Sequence, residues 1–464
     1  MLSKLSVAFV AASLLFPAAS AIAQWKIEFR ESGSSPVIAD GVLYVGSADG
    51  AVYALDAGTG ETKWRFKTGE GLPSEAPVIT AGGNPMAAGL AAAEKLREKG
   101  ISRVDMTPAI ESGTVFIGSG DRSFYAIDAV TGKQKWSYLA GPGMASGNFT
   151  SLTKPAAVLK DGSVYFTTEI GLHALDSATG KEKWVFETLQ EVPKQKSILM
   201  PRKRDAEGPV VGDGVLFLTA WPYIQGNTPL KSYLYAVDPE SGKAKWVVSV
   251  DGLRITAPAT AKGLALFAVE EKLSIAGPVD RATLYAIDAA DGQIKWKFSA
   301  EKQSNPRPPL VADNTIYFPT EKILIALEME TGRQLWSFSE DVISAIRKTD
   351  DQHLYVVTRS GTLSRPKGAI HALALTTGQK KWSRSLDESA GNVMIHQGVV
   401  YAGREHLYAI DASTGKELRS FSRTSRESVR LISADRIFLT SPTTTYVGSS
   451  RVDQGYLYAI DARR

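Results

Sequence analysis

One phrase recurs along this chain: an aromatic residue, Ala, an aliphatic, an acid, a tight turn and then Trp. The first copy is Tyr53-Ala54-Leu55-Asp56, followed by Thr59-Gly60 and Trp64. Full copies follow from Tyr125 to Trp136, His173 to Trp184, Tyr235 to Trp246 and Tyr285 to Trp296. Weaker copies run from Ile325 to Trp336, where Glu328 takes the place of Asp, and from His371 to Trp382, where Ala374 does. The eighth, Tyr408 to Asp411 with Thr414-Gly415, carries Arg419 at the Trp position, and the ninth, Tyr458-Ala459-Ile460-Asp461, lacks its Trp segment. Self-similarity of this kind overrides length as a guide to domain number, because each repeat is one supersecondary unit.

Each phrase reads as two antiparallel strands around a Thr-Gly or Ser-Gly turn, since its apolar residues alternate with a period of two. Upstream of most copies lies a second hairpin. Pro36 to Gly46 turns at Asp40-Gly41, and Val210 to Leu218 turns at Asp213-Gly214. Asp-Gly between two apolar runs is a strong short-range hairpin signal. Four short strands per repeat make a propeller blade, and no blade can bury its apolar faces alone. The fold class expected is therefore all-β, a single closed β-propeller over residues 24–464. The segment Gln24-Trp25-Lys26-Ile27-Glu28-Phe29 resembles Lys63-Trp64-Arg65-Phe66 and supplies what the ninth phrase lacks. The first strand is expected to complete the last blade, replacing two sheet edges by ladder hydrogen bonds. Nine repeat units are counted this way, with eight blades as the alternative.

The phrase Ala-x-Asp-x-x-Thr-Gly-x-x-x-Trp resembles the tryptophan-docking motif of the quinoprotein (PQQ-like) β-propeller family, which includes quinoprotein dehydrogenases and proteins of BamB type. The resemblance covers nearly all of the chain after residue 24. It implies that Trp64, Trp136, Trp184, Trp246, Trp296, Trp336 and Trp382 form a structural girdle, each packed between the motif Ala and the turn glycine of a neighbouring blade. Physical reasoning agrees: a flat outer side chain seals a joint only against a small facing residue, which accounts for Ala54, Ala126 and their equivalents.

The remaining composition bounds the function. Lys4 precedes an apolar run from Leu5 to Pro17, and Ala21-Ile22-Ala23 leads into Gln24. This reads as a cleavable secretory signal over residues 1–23 and places the protein in the periplasm. Without cysteine, disulfides, thiolate metal sites and covalent haem are excluded, and N-terminal lipidation is not expected. Net charge is only +4 with the charges scattered, so nucleic acid is not an expected partner. A monomer without a membrane span is expected.

Because this ring hosts enzymes and non-enzymes alike, motif and function are separate questions. The leading reading is a binding or scaffold propeller whose partner is a periplasmic or outer-membrane protein, as the likeness to the BamB type implies; it requires no cofactor and no metal. The resemblance also implies an alternative, a dehydrogenase holding PQQ with calcium on the axis, for which Glu207 and Asn392 would be ligands. A third reading is an enzyme or binder acting on an anionic ligand such as an acidic polysaccharide. For it, Lys154, Arg204, Arg254, Arg307, Arg347 and Arg430, in the loops entering the inner strands, would surround one mouth of the ring and focus a positive field there. His173 and His371 take the Tyr position of the repeat and read as strand packing. Two insertions interrupt the repeats: residues 82–105, with a helix expected from Ala87 to Lys99, and residues 191–207, where basic residues flank Ile198-Leu199-Met200.

Overall fold

The structure, a computed structural model, describes residues 23–29, 34–69, 104–121, 123–140, 157–168, 171–188, 204–222, 231–252, 254–271, 281–303, 305–348, 352–362, 366–390, 393–403, 406–422, 428–433, 436–447 and 450–461. The signal segment up to Ile22 lies outside them, as do the helix expected at Ala87 to Lys99 and residues 191–203 of the second insertion.

Nine sheets account for the described strands, each a four-stranded antiparallel meander. Blade 1 runs from Val37 to Lys67, blade 2 from Ala109 to Leu139, blade 3 from Val158 to Glu187, and blade 4 from Arg204 to Asp251. Blades 5 to 8 span Arg254–Glu301, Leu310–Ser339, Val342–Leu386 and Met394–Ser422. In blade 5 the first strand is broken into Arg254–Ile255 and Ala259–Ala261. Blade 9 joins Ser428–Ser433, Arg436–Val447 and Ser450–Asp461 to the strand Ala23–Glu28. The ring thus closes as the repeat count requires, at nine blades and with the N-terminal strand outermost in the last.

Within a blade, burial follows position. Middle strands are almost entirely buried, as in Thr114–Gly118 and Gly171–Asp176, whereas the last strand alternates between exposure and a half-buried or buried Trp. First strands of neighbouring blades contact one another, so they line the axis and the Trp strands form the rim. Large apolar residues of the middle strands, among them Phe124, Phe166, Phe217, Phe267, Phe318 and Phe438, fill the wedge between blades. Phe124 of blade 2 stacks on Phe166 of blade 3, centroids 4.1 Å apart. Such close packing between sheets is where the fold's stability resides, since each blade's apolar faces are covered only by its neighbours.

Eight of the nine joints carry the same dock. The indole N–H of Trp25, Trp64, Trp136, Trp184, Trp246, Trp296, Trp336 and Trp382 donates to the carbonyl of Ala57, Ala129, Ser177, Pro239, Ala289, Met329, Leu375 and Ala412 respectively, at 2.9–3.2 Å. The accepting residue directly follows the motif acid of the next blade, or its stand-in. Each ring also lies over the next turn glycine. A Cβ at Gly60, Gly132 or Gly242 would stand only 2.4–2.6 Å from the indole, and all three glycines have φ near +70°. Glycine is therefore required there twice, by the left-handed turn and by the ring above it. At the joint between blades 8 and 9 Arg419 replaces Trp and hydrogen-bonds the Tyr401 side chain.

Candidate functional site

The two faces of the ring differ. In an antiparallel meander the turn after the first strand and the turn after the third lie on one face, and the other two connections on the opposite face. The first kind are tight: Asp40-Gly41 has φ of 51° and 73°, and Ser112-Gly113, Asp161-Gly162, Asp213-Gly214, Lys262-Gly263 and Gln397-Gly398 repeat this left-handed pair. Where the motif acid is present, it fastens the turn after the third strand. Asp56 accepts the N–H groups of Gly58 and Thr59, and Asp411 accepts those of Ser413 and Thr414 together with both hydroxyls. These bonds pull the Asp411 carboxyl down to about 2.

Every long connection lies on the other face. There the chain passes from Lys67 to Ala109, from Leu139 to Val158 and from Glu187 to Arg204. The hairpins between second and third strands are also longer there in some blades. In blade 1 the second strand is Val42–Gly46, but it extends over Val215–Pro222 in blade 4, Leu264–Glu271 in blade 5, His353–Gly361 in blade 7 and Arg436–Val447 in blade 9. A scaffold of fixed turns on one side and elaborated loops on the other is the arrangement by which repeat proteins build a binding surface.

The axial candidates distribute along the first strands at several heights. Lys154 and Asn392 lie outside the described residues. Arg204 and Glu207 belong to the first strand of blade 4, opposite Pro222 and Thr219, so the second insertion ends before Arg204. Arg254 opens the first strand of blade 5, opposite Glu270. Among the described candidates Arg307 remains in an entering loop; its N–H donates to Pro319 O at 3.0 Å. The placement of Arg204, Arg254, Arg347 and Arg430 in entering loops needs correction: all four lie inside strands. Arg347 pairs with Tyr355, the place that Val37 holds opposite Tyr44 and Leu310 opposite Tyr317. Arg430 sits at a bulge between Val429 and Leu431, its Nε donating to Thr440 Oγ1 at 2.8 Å. Blades 7 and 9 lack the proline that marks strand entry at Pro36, Pro108, Pro209, Pro258 and Pro309, which is why the entry was misplaced there. Water reaches Arg347, yet burial among the surrounding strands lowers the pKa of the Arg347 and Arg430 guanidinium groups.

Alignment of the first strands exposes a register that the sequence reading passed over. Ser34, Thr256 and Ser344 occupy one position in blades 1, 5 and 7, and each bonds the backbone of the second strand: Gly46 N–H to Ser34 Oγ, Ala268 N–H to Thr256 Oγ1 and Ser344 Oγ–H to Val357 O. Glu207 and Arg307 hold the same position in blades 4 and 6. In blades 1, 5 and 7 its signal is a small hydroxyl residue three places before the residue that pairs with Tyr44, Leu266 or Tyr355.

His173 and His371 are packing residues, 2% and 4% exposed, as their place in the repeat suggests. In blades 1 and 2 the equivalent Tyr donates to an acid in the preceding hairpin, Tyr53 to Asp49 at 2.7 Å and Tyr125 to Asp121 at 2.5 Å. Here the partner is a hydroxyl, Thr168 at 2.9 Å from His173 Nε2 and Thr358 at 3.0 Å from His371 Nε2. Burial against Phe166 holds His173 neutral and takes its pKa down to about 4. Unfolding returns it toward about 6.5, so the unfolded chain binds the proton first as pH falls. The contribution of His173 to stability is complete above about pH 6.5 and declines down to about pH 4, by about 3 kcal/mol. Denaturant melts of the parent and His173→Gln at pH 7 and pH 4.5 measure this. The stability gap between them is expected to shift in favour of the variant at the lower pH; a constant gap would assign the histidine no titrating role.

Between blades 4 and 5, on the face of tight turns, lies a cleft of about 370 Å³ lined in part by Asp213, Lys245, Lys262, Asp288 and Lys295. Several of its charged groups have partners: Lys295 pairs with Asp288 at 2.9 Å, Asp213 accepts the Gly263 N–H at 3.0 Å, and Lys262 donates to Asn314 Oδ1 at 3.1 Å. Among the described residues no three His, Asp or Glu side chains gather as a metal cradle. No described helix is long and apolar enough to cross a membrane.

The fold and its eight indole docks define a nine-bladed propeller of tryptophan-docking repeats. A family model described as "Outer membrane protein assembly factor BamB" matches residues 18–223 and 230–464, and the chain belongs to that family. Similarity to curated proteins is regional. The BamB of Nitrosomonas eutropha is 30% identical over 127 residues, 25% of this chain and 30% of that protein. A 1-butanol dehydrogenase (cytochrome c) of Thauera butanivorans is 31% identical over 119 residues, 24% of this chain and 14% of that protein. The matched regions thus span less than a third of these relatives. Among solved structures, the quinohemoprotein alcohol dehydrogenase of Comamonas testosteroni aligns over 95% of this chain and 76% of its own, at 14% identity and a TM-score of 0.50, a likeness of fold. BamB from Moraxella catarrhalis aligns over 94% and 98%, at 13% identity and a TM-score of 0.49.

Proposed function

We propose that this protein is a periplasmic scaffold of BamB type, which uses the face of long connections to hold a protein of outer-membrane assembly. The asymmetry between the two faces supports this reading most directly. Fixed turns on one side give the ring its shape, and the elaborated hairpins of blades 4, 5, 7 and 9 supply a broad surface for another protein. Family membership and the BamB relatives point to the same class of partner.

Shortening the blade 7 hairpin, by replacing residues 359–368 with Asn-Gly, should weaken retention of a detergent-solubilised outer-membrane assembly barrel at least tenfold, while Lys262→Ala on the opposite face leaves it unchanged. Equal retention by both variants would place the contact elsewhere and defeat the assignment of the face.

The regional likeness to quinone alcohol dehydrogenases supports a second reading, a PQQ enzyme. Among the described residues no three His, Asp or Glu side chains gather to hold a calcium ion, and Asn392 lies outside those residues. No catalytic step is therefore derived through the quinone. Incubation with PQQ and calcium followed by dye reduction with alcohols or sugars separates the readings, because a clear signal would replace the scaffold by the enzyme.

A further inference from the structure

The hairpin of blade 9 outgrows the blade that carries it. Pairing with the first strand ends at Ser428 and Thr440, and pairing with the N-terminal strand ends at Glu28 and Tyr456. The two middle strands nevertheless continue to pair with each other, from Pro442 opposite Gly455 to Val447 opposite Ser450. At about 3.3 Å per residue this two-stranded arm projects about 20 Å beyond the sheet, on the face of long connections. No other described strand pairs with either of its edges.

Pro442 fixes which backbone groups those edges offer. Proline has no N–H, so its pair with Gly455 is suited to the wide, non-hydrogen-bonded kind. Wide and narrow pairs alternate along an antiparallel ladder, so the pairs of Thr444 with Asp453 and of Tyr446 with Arg451 are wide as well. Residues of wide pairs direct N–H and C=O away from their partner strand. Thr444 and Tyr446 thus present a donor and an acceptor each along one edge, and Pro442 adds an acceptor.

The two edges differ in sequence from each other and from the rim. Outer strands of the blades, which also have a free edge, carry Lys, Arg or Glu in every blade except blade 6, as in Thr62–Lys67 and Glu182–Glu187. Charge of that kind blocks the addition of another strand. The second arm strand has Arg451 and Asp453, but the first, Ser441-Pro442-Thr443-Thr444-Thr445-Tyr446-Val447, has no charge and is rich in β-branched and aromatic residues.

We infer that this first arm strand is a docking edge, on which an extended, uncharged segment of a partner polypeptide adds as a further β-strand. The inference deepens the scaffold reading and rests on it: it names the form in which the partner is held. The occupant's chemistry follows from what the edge displays, alternating main-chain donors and acceptors over about six residues with no charge to select by, and an extended peptide backbone matches that spacing.

The probe is a capped peptide of alternating valine and threonine with lysine at each end, its central carbonyls labelled with carbon-13. Fluorescence anisotropy reads affinity, and isotope-edited infrared absorption reads strand pairing. Thr444→Pro removes one outward donor and leaves the arm's own ladder, whereas Thr444→Ser keeps the donor. Binding by the parent and by Thr444→Ser, with at least a tenfold loss in Thr444→Pro, is the expected result. Absence of binding by the parent, or equal binding by Thr444→Pro, overturns the edge. An arm-dependent dimer in sedimentation also overturns it, in favour of a second copy. The assembly-barrel retention assay on the parent keeps the two proposals apart: retention by the parent without peptide binding removes the arm but leaves the scaffold, and absence of both in the parent removes the scaffold.

Discussion

A protein lacking Gln24–Phe29 should melt well below the parent and associate through blade 9. The deleted strand pairs Trp25, Lys26, Ile27 and Glu28 with Ala459, Tyr458, Leu457 and Tyr456. It also carries the dock of Trp25 onto Ala57 and Gly60 of blade 1, and it buries Phe29 against Tyr53 with centroids 6.0 Å apart. Trp25 and Phe29 are 8% and 3% exposed. Truncation of a buried aromatic side chain costs about 3–5 kcal/mol. Loss of both, with the ladder, therefore approaches the whole stability of a typical domain, about 5–15 kcal/mol. The residues left behind, Tyr456 to Asp461, become an unprotected edge and a template for a second molecule. Thermal melting and light scattering provide the measurement. A deletion that melts with the parent and stays monomeric would mean that the N-terminal strand does not close the ring.

Trp184→Ala should destabilise the protein by about 3 kcal/mol, the lower part of the range for buried aromatics, because Trp184 is only half-buried. Its loss removes the indole over Gly242, the hydrogen bond to Pro239 O at 3.1 Å and the contact with Tyr165, whose own hydroxyl donates to the same carbonyl at 3.3 Å. Arg419→Ala provides the control inside the same molecule. That side chain is flexible and its group is a guanidinium beside Tyr401, so about 1 kcal/mol or less is expected from lost packing of its stem. Chemical denaturation of both variants should therefore separate them clearly. Equal losses would show that the indole joint is no stronger than its substitute.

The contrast between these two variants also marks what the sequence made legible. The girdle could be read because its chemistry repeats: a ring that covers a glycine requires that glycine, and each neighbouring blade repeats the requirement. Closure could be read for the same reason, since Gln24-Trp25-Lys26 carries the missing member of the ninth phrase. The axial wall has no such redundancy. Arg347 stands where other blades have Val37 or Leu310, and Arg430 occupies a bulge; neither register follows from local pattern, because each is imposed by the second strand beside it. The charged run Arg204-Asp205-Ala206-Glu207 reads as loop for a similar cause. It becomes strand by pairing with Thr219–Pro222, a partner that sequence alternation alone does not announce. The role of His173 was visible in its position, but its Thr168 partner lies five residues back, one more than the Asp-to-Tyr spacing of blades 1 and 2, and so escaped that pattern.

The docks all point the same way: each indole enters the blade that follows it, and Trp25 of blade 9 enters blade 1. Coupling therefore runs around a circuit of nearest neighbours with no terminus between blades. In an open row, one failed joint divides the molecule into two pieces. In the circuit, the blades on either side of a failed joint are still connected by the long way round, so the break is an opening rather than a separation and can reseal without refolding. The chain ends are stitched together inside a sheet, which leaves every boundary between blades free to serve as a hinge of this kind. The boundary between blades 8 and 9, where Arg419 stands in for the indole, is the one at which such breathing should begin.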